Sequence, residues 1–170
     1  MDLGLFVARV VFGLLMAAHG AQKLFGWFGG YGFAAVAGFF ESLGFRPGRF
    51  FAAIASFSEL AGGLLIAAGL LGPVGPALVL AVMIVAAGRV HWQNGLFAGT
   101  NGVEVPLLYA TGGVALALTG PGRFSLDGLF SIGGLWTPAL IWAALIVGAI
   151  GGLGHLAIRR APEQVAAAAA

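Results

Sequence analysis

Polar residues interrupt this chain in only a few places, and the apolar stretches between them have the length of membrane crossings. The first, Leu3–Phe25, reads LGLFVARVVFGLLMAAHGAQKLF. As a helix with about 1.5 Å of rise per residue it reaches roughly 34 Å, against a hydrocarbon core of about 30 Å. Phe50–Leu71 predicts a second span, Val74–Val90 a third and Val103–Thr119 a shorter fourth. Gly72-Pro73 leaves only a tight turn between the second and third, which are therefore expected to be antiparallel neighbours. Pro76 falls in the first turn of the third span, where a missing N–H breaks no helical bond. Gly120-Pro121-Gly122 stops the fourth. A last apolar run, Trp136–Ile158, predicts a fifth, C-terminal crossing, with Gly148 and Gly152 at the GxxxG spacing that favours close helix packing.

Between the first two spans, Gly26–Arg49 has an amphipathic middle. Phe33, Val36, Phe39, Phe40 and Leu43 recur at helical spacing, with Glu41 and Ser42 on the other side. The segment is too short to span, so an interfacial or re-entrant helix is expected. Trp27, Phe28 and Tyr31 beside it suit the aromatic belt at the membrane–water boundary.

Composition agrees with this pattern. The chain is 60% hydrophobic and 8% charged, with mean hydropathy +1.02, where a soluble domain is about 25% charged. The fold expected is all-α: a polytopic transmembrane helix bundle with a four-helix core over residues 1–127, an additional helix within 128–160, and a low-complexity, disordered alanine-rich tail over 161–170. The net charge of +2 is slight and scattered, which argues against nucleic acid as a partner. With no cysteine, disulfides, thiol catalysis, cysteine-ligated iron–sulfur clusters and covalent c-type haem are excluded. Asp2 stands where a cleavable signal would carry a basic residue, and the apolar run is too long for a signal core, so the first span is expected to be retained. Lys23, Arg46, Arg49, Arg89, Arg159 and Arg160 fall on one side of a five-span threading, which favours the N-terminus outside and the C-terminus in the cytoplasm.

The charges inside the spans are the candidate chemistry, because an ionisable group at membrane depth must find a partner. At about 100° per residue, Arg9, His19 and Lys23 share a sector of roughly 80° on the first helix, a polar wall expected to face the bundle. Antiparallel threading puts His19 and Lys23, Glu59 of the second span, Arg89 and His91 at the end of the third, and Glu104 at the start of the fourth in one half of the bundle. Arg9 lies nearer the other face, toward Arg123 and Asp127 in the GPGRFSLD loop.

Several readings of these groups stand side by side. Glu59 forms a structural ion pair with Lys23 or Arg9, or it handles protons or binds substrate. His19 is a satisfied interior histidine, a donor to a quinone oxygen, or a metal ligand, and His19 with His91 is a formal haem-ligand pair. Lys23 and Arg89 near helix ends snorkel to the headgroups on the simplest view, and Arg159-Arg160 anchors the membrane edge. His155, alone on a glycine-rich helix, carries no signal, and Ser56 with Glu59 matches capping-box spacing inside an apolar span, a coincidence. The motifs HExxH, GxxxxGK[ST] and GxSxG are absent, and no metal site is expected.

Three groups of residues together resemble the DoxX family of small bacterial membrane proteins. They are Arg9 and Gly13 with His19-Gly20-Ala21-Gln22-Lys23-Leu24; Glu59-Leu60-Ala61-Gly62-Gly63 with Gly69; and Gly120-Pro121-Gly122-Arg123 with Ser125-Leu126-Asp127. The resemblance covers Leu3–Asp127 and implies a four-helix core in the bacterial cytoplasmic (inner) membrane. Some members resemble the small subunit of a thiosulfate:quinone oxidoreductase, and others are associated with redox or oxidative-stress assemblies. The run Trp136–Ile158 and the tail lie outside it.

The function expected first is a redox-linked subunit with a polar intramembrane site for a quinone or small molecule. His19 and Glu59 are its catalytic candidates, and Arg9, His19, Lys23, Glu59, Arg89, His91 and Glu104 its substrate-binding candidates. Gly120, Pro121, Gly122 and Asp127 form a structural loop. Quinone is the cofactor class considered. Lipid, a redox protein and a second copy of the chain are the partner classes. The alternatives are a non-enzymatic scaffold that anchors a partner complex and a small-molecule transporter.

Overall fold

The computed structural model describes residues 2–159; the tail over 161–170 and Arg160 lie outside the described residues. The chain folds as an all-helical bundle with α1 (Asp2–Phe25), α2 (Gly32–Ser42), α3 (Gly48–Ala68), α4 (Val74–Ala86), α5 (Glu104–Thr119), the short α6 (Leu126–Leu129) and α7 (Pro138–Ala157). Three of these helices, α1, α3 and α7, are long and apolar enough to cross a membrane, as is the segment Val74–Asn94 that continues α4. The shorter α5 has 16 residues.

The ends of the helices have local causes. The second apolar run stops at Ala68 rather than Leu71 because Gly69 turns left-handed (φ 63°) and its N–H closes on the Ile66 carbonyl at 3.0 Å. Beyond Ala86, α4 widens into a π-helical turn over Ala87–His91 and tightens into a 3-10 turn over Trp92–Asn94. The last helix starts at Pro138, with Thr137 Oγ1 accepting from the Leu140 N–H.

Small residues decide how the helices meet. Gly13 and Gly20 of α1 lie directly on the backbone of α3. A Cβ on Gly20 would stand 2.5 Å from the Leu60 nitrogen, and one on Gly63 would collide with Ala17 of α1. The α4–α7 contact has the same form, since a Cβ on Gly148 would meet the Ala77 carbonyl at 2.5 Å and one on Gly152 the Ala81 carbonyl at 2.7 Å. The GxxxG pair is thus used inside the chain. Without a hydrophobic force between helices in lipid, such close backbone approach supplies the packing. A core of Met16, Ala55, Ile66, Val79, Val82 and Met83 fills the space between α1, α3 and α4, with Phe12 and Tyr109 packed against it.

The loop helix α2, about 16 Å long at 1.5 Å per residue, is too short to cross. It lies along the start of α3, burying Val36 and Ala37 against Ala52. The outer faces of the long helices stay apolar and exposed, among them Val11, Leu15, Phe57, Leu64, Val147 and Ile150, as a lipid-facing surface requires.

The glycine seam yields a direct test. Gly63→Val should separate α1 from α3 and destabilise the detergent-solubilised protein by about 1–3 kcal/mol or more. Gly151→Ala adds a Cβ with nothing within 4 Å and should leave the thermal unfolding midpoint unchanged; similar midpoints for the two variants would refute the seam.

Candidate functional site

The polar groups gather at two ends of the bundle. At the end holding the α3–α4 turn, Arg9 is buried and packs on Gly69, where any Cβ would strike its guanidinium. It donates to the Pro121 carbonyl at 3.1 Å and to the Phe124 carbonyl. Asp127, fully buried, accepts from the Leu71 and Gly72 N–H groups at 2.8 Å each and from Trp136 Nε1 at 2.7 Å. Its own N–H bonds the Gly69 carbonyl at 3.0 Å. Ser125 caps α6, accepting from the Gly128 N–H at 3.0 Å. Gly120, Pro121 and Gly122 lie in the loop before α6 and Asp127 within α6, and the hydrogen bonds of this segment close on the first helix and on the α3–α4 turn. These contacts hold backbone in place, and Arg9 stands apart from the groups at the other end.

At that other end Lys23 Nζ and Glu59 Oε1 meet at 2.5 Å. Glu59 is 2% exposed, while the Lys23 side chain is 31% exposed. The second carboxylate oxygen of Glu59 and the hydroxyl of Ser56, one turn earlier on α3, are both buried with no hydrogen-bond partner. Tyr109 of α5 packs against the core shared by α1, α3 and α4. Its ring packs edge-on to His19 with centroids 5.8 Å apart, and lies 5.1 Å from Phe12. The polar groups thus form two separate contacts, Lys23 with Glu59 between α1 and α3, and His19 with Tyr109 between α1 and α5.

Lys23 also belongs to the wall of a cavity of about 600 Å³ enclosed by the end of α1, α2, α3, the α4 segment and the last turn of α7. Its surface is mainly aromatic and aliphatic, with rings from Phe39, Phe40, Phe45 and Phe51. The polar side chains on it are Gln22, Lys23, Tyr31, Ser58, His91 and His155. Tyr31 is 89% exposed and Phe39 is also exposed, so the cavity opens at the edge formed by α2 and the residues before it. Glu59 stands behind Lys23, and His19 lies off the cavity beside Tyr109.

Besides Arg9, two more of the residues that the sequence marks as binding candidates go elsewhere. Arg89 Nε donates weakly to the Leu43 carbonyl at 3.4 Å, at the C-terminal end of α2, where the helix dipole favours a cation. Glu104 accepts from the Ala98 N–H at 2.7 Å and ties down the loop before α5. Neither reaches Glu59. Tyr109, Ser56 and His155 do not stand out in the sequence as site residues. A hydroxyl or imidazole on an apolar helix is the only signal each carries, and such a signal does not say which neighbour it faces. Among the described residues no group of three or more His, Asp or Glu side chains gathers as a metal site.

The ion pair predicts its own double-mutant cycle. Lys23→Met leaves the Glu59 carboxylate buried alone and should destabilise by about 1–3 kcal/mol, below the cost for a fully buried pair because Lys23 is partly solvated. Adding Glu59→Gln should recover part of that loss. Additive effects on the unfolding midpoint would mean that the two groups are not coupled.

No curated protein and no solved structure matches the chain. The DoxX family model matches residues 4–92, just over half of the chain. The match runs from the first turn of α1 to the end of the π turn and takes in Arg9, His19, Lys23, Glu59, Arg89 and His91. It stops before the loop over Gly120–Asp127, which the sequence resemblance also included. By this match over α1–α4, the chain belongs to the DoxX family.

Proposed function

We propose that this protein is a redox-linked membrane subunit that holds a quinone-class ring in the cavity beside Lys23. The observation that carries the reading is the cavity itself. About 600 Å³ lies within the range of roughly 300–1,000 Å³ usual for small-molecule sites. Aromatic and aliphatic walls suit a flat apolar ring, and the Lys23 ammonium supplies a charge-assisted donor for a ring oxygen. Glu59 balances that ammonium from behind. Its unpartnered oxygen and the Ser56 hydroxyl provide a place where a proton or a water can be held. The opening beside the exposed Tyr31 lets an apolar tail pass to the lipid. With no cysteine in the chain, electrons reach or leave such a ring through a bound cofactor or a partner protein.

The same reading places the chain in a bacterial cytoplasmic membrane, with the cavity end of the bundle facing the cytoplasm. It rests on the basic residues at that end, Arg46, Arg49 and Arg159.

The test is direct binding of decylubiquinone to the purified full-length protein in lipid nanodiscs. Saturable one-site binding is expected, weakened about tenfold in Lys23→Met. It should also be abolished in Val85→Trp, which fills the cavity and leaves the ion pair intact. Absence of saturable binding in the folded wild type would remove the quinone reading. Recovery of a defined partner protein in its place would favour the scaffold.

A further inference from the structure

His91 and His155 line the same cavity from two different elements, the π turn after α4 and the last turn of α7. These elements touch, since a Cβ on Gly88 would lie 3.0 Å from the Leu156 side chain. Each imidazole has Nδ1 against a backbone carbonyl, His91 at 2.8 Å from the Asn101 oxygen and His155 at 2.7 Å from the Gly151 oxygen. A carbonyl oxygen only accepts, so Nδ1 carries the hydrogen in both rings. In the neutral ring Nε2 is then left as a lone-pair acceptor. Phe51 stands edge-on to the His155 ring at 5.6 Å and holds its plane. The competing donor Gln22 is engaged, its amide nitrogen bonding the Phe28 carbonyl at 3.1 Å.

Beside the neutral hydroxyls of Tyr31 and Ser58, the cavity wall thus carries two imidazoles whose Nδ1 is taken by backbone and one charged donor, Lys23. We propose that this cavity selects the reduced, hydroxyl-bearing form of a quinone-class ring, with His91 and His155 accepting from its O–H groups and Lys23 donating to a ring oxygen. The inference rests on the quinone reading above and adds His155 as a ligand-binding residue. An oxidised ring offers carbonyl oxygens alone. Its carbonyls can accept from Lys23 and the wall hydroxyls, but it gives the two Nε2 lone pairs no donor, so the histidines add nothing to its binding. A ring with hydroxyls satisfies both histidines while its aromatic body keeps the same contacts with the phenylalanine walls.

The test compares decylubiquinol, kept reduced under anaerobic conditions, with decylubiquinone on the full-length protein in lipid nanodiscs. The wild type should bind the quinol about tenfold more tightly than the quinone. His91→Phe and His155→Phe should each lose most of that preference while changing quinone affinity by less than about twofold. Because His91→Phe also removes the contact that ties down the Asn101 loop, histidine 15N NMR of the wild type provides a measurement independent of any variant. Both rings should be Nδ1–H tautomers, with Nε2 resonances that shift when quinol is added. Equal binding of the two forms, an unchanged preference in both variants, or an Nε2–H tautomer in either ring would overturn the inference while quinone-class binding stands. Binding of neither form would overturn the quinone reading and this inference together.

Discussion

The approach of α1 to α3 without intervening side chains is the contact on which the rest of the bundle depends. Lipid gives two apolar helices no hydrophobic reason to meet, so their association rests on how many atoms can touch. Gly13 and Gly20 on one helix, and Gly63 on the other, let backbone lie on backbone. With the axes that close, Lys23 and Glu59 come within reach of each other. The pairing supplies the buried Glu59 carboxylate with a counter-charge from the partly exposed Lys23.

The two ends of the molecule use their charges differently. Around the α3–α4 turn, Arg9 and Asp127 are both engaged with backbone. Arg9 takes two carbonyls of the loop before α6, and Asp127 takes two amides and an indole N–H. That end leaves only a smaller cavity of about 210 Å³ between the turn, Pro121 and Trp136. At the other end α2 leans on α3 without filling the space toward α4 and α7, and a cavity remains with Lys23 on its wall. Buried polar atoms left unpaired lie just behind it, on Glu59 and Ser56. Both ends thus keep a buried polar atom without a partner, Arg9 Nε at one and Glu59 Oε2 with the Ser56 hydroxyl at the other, but only the second lies beside the large apolar cavity.

The periodicity of the sequence was informative about depth and much less so about direction. Threading alone assigns Lys23 and Glu59 to one half of the bundle, and they meet at 2.5 Å. The same threading assigns Arg89 and Glu104 to that half. Both are there, yet Arg89 turns to the end of α2 and Glu104 to its own loop. Arg89 lies within the π turn at Ala87–His91, whose angular register differs from that of an α-helix, and Glu104 is held by the Ala98 N–H of the loop before α5. The polar wall of α1 has a similar history. Arg9 is buried, whereas His19 and Lys23 sit at the margin of the glycine-and-alanine face that makes the closest contact. His155 and Tyr109 gave no sign of their neighbours, since each becomes interesting only beside residues from other helices.

By itself the sequence determined the apolar spans, their order and the depth of each charge, because a bilayer imposes a length and a hydrophobicity that can be read along one dimension. It also marked Leu3–Phe25 as a helix whose charges need partners. Which partner each charge finds, and where space is left between helices, was decided only by the tertiary structure. Those outcomes depend on the rotation of each helix about its axis. That rotation is fixed where glycines let backbones touch, between segments far apart in the chain.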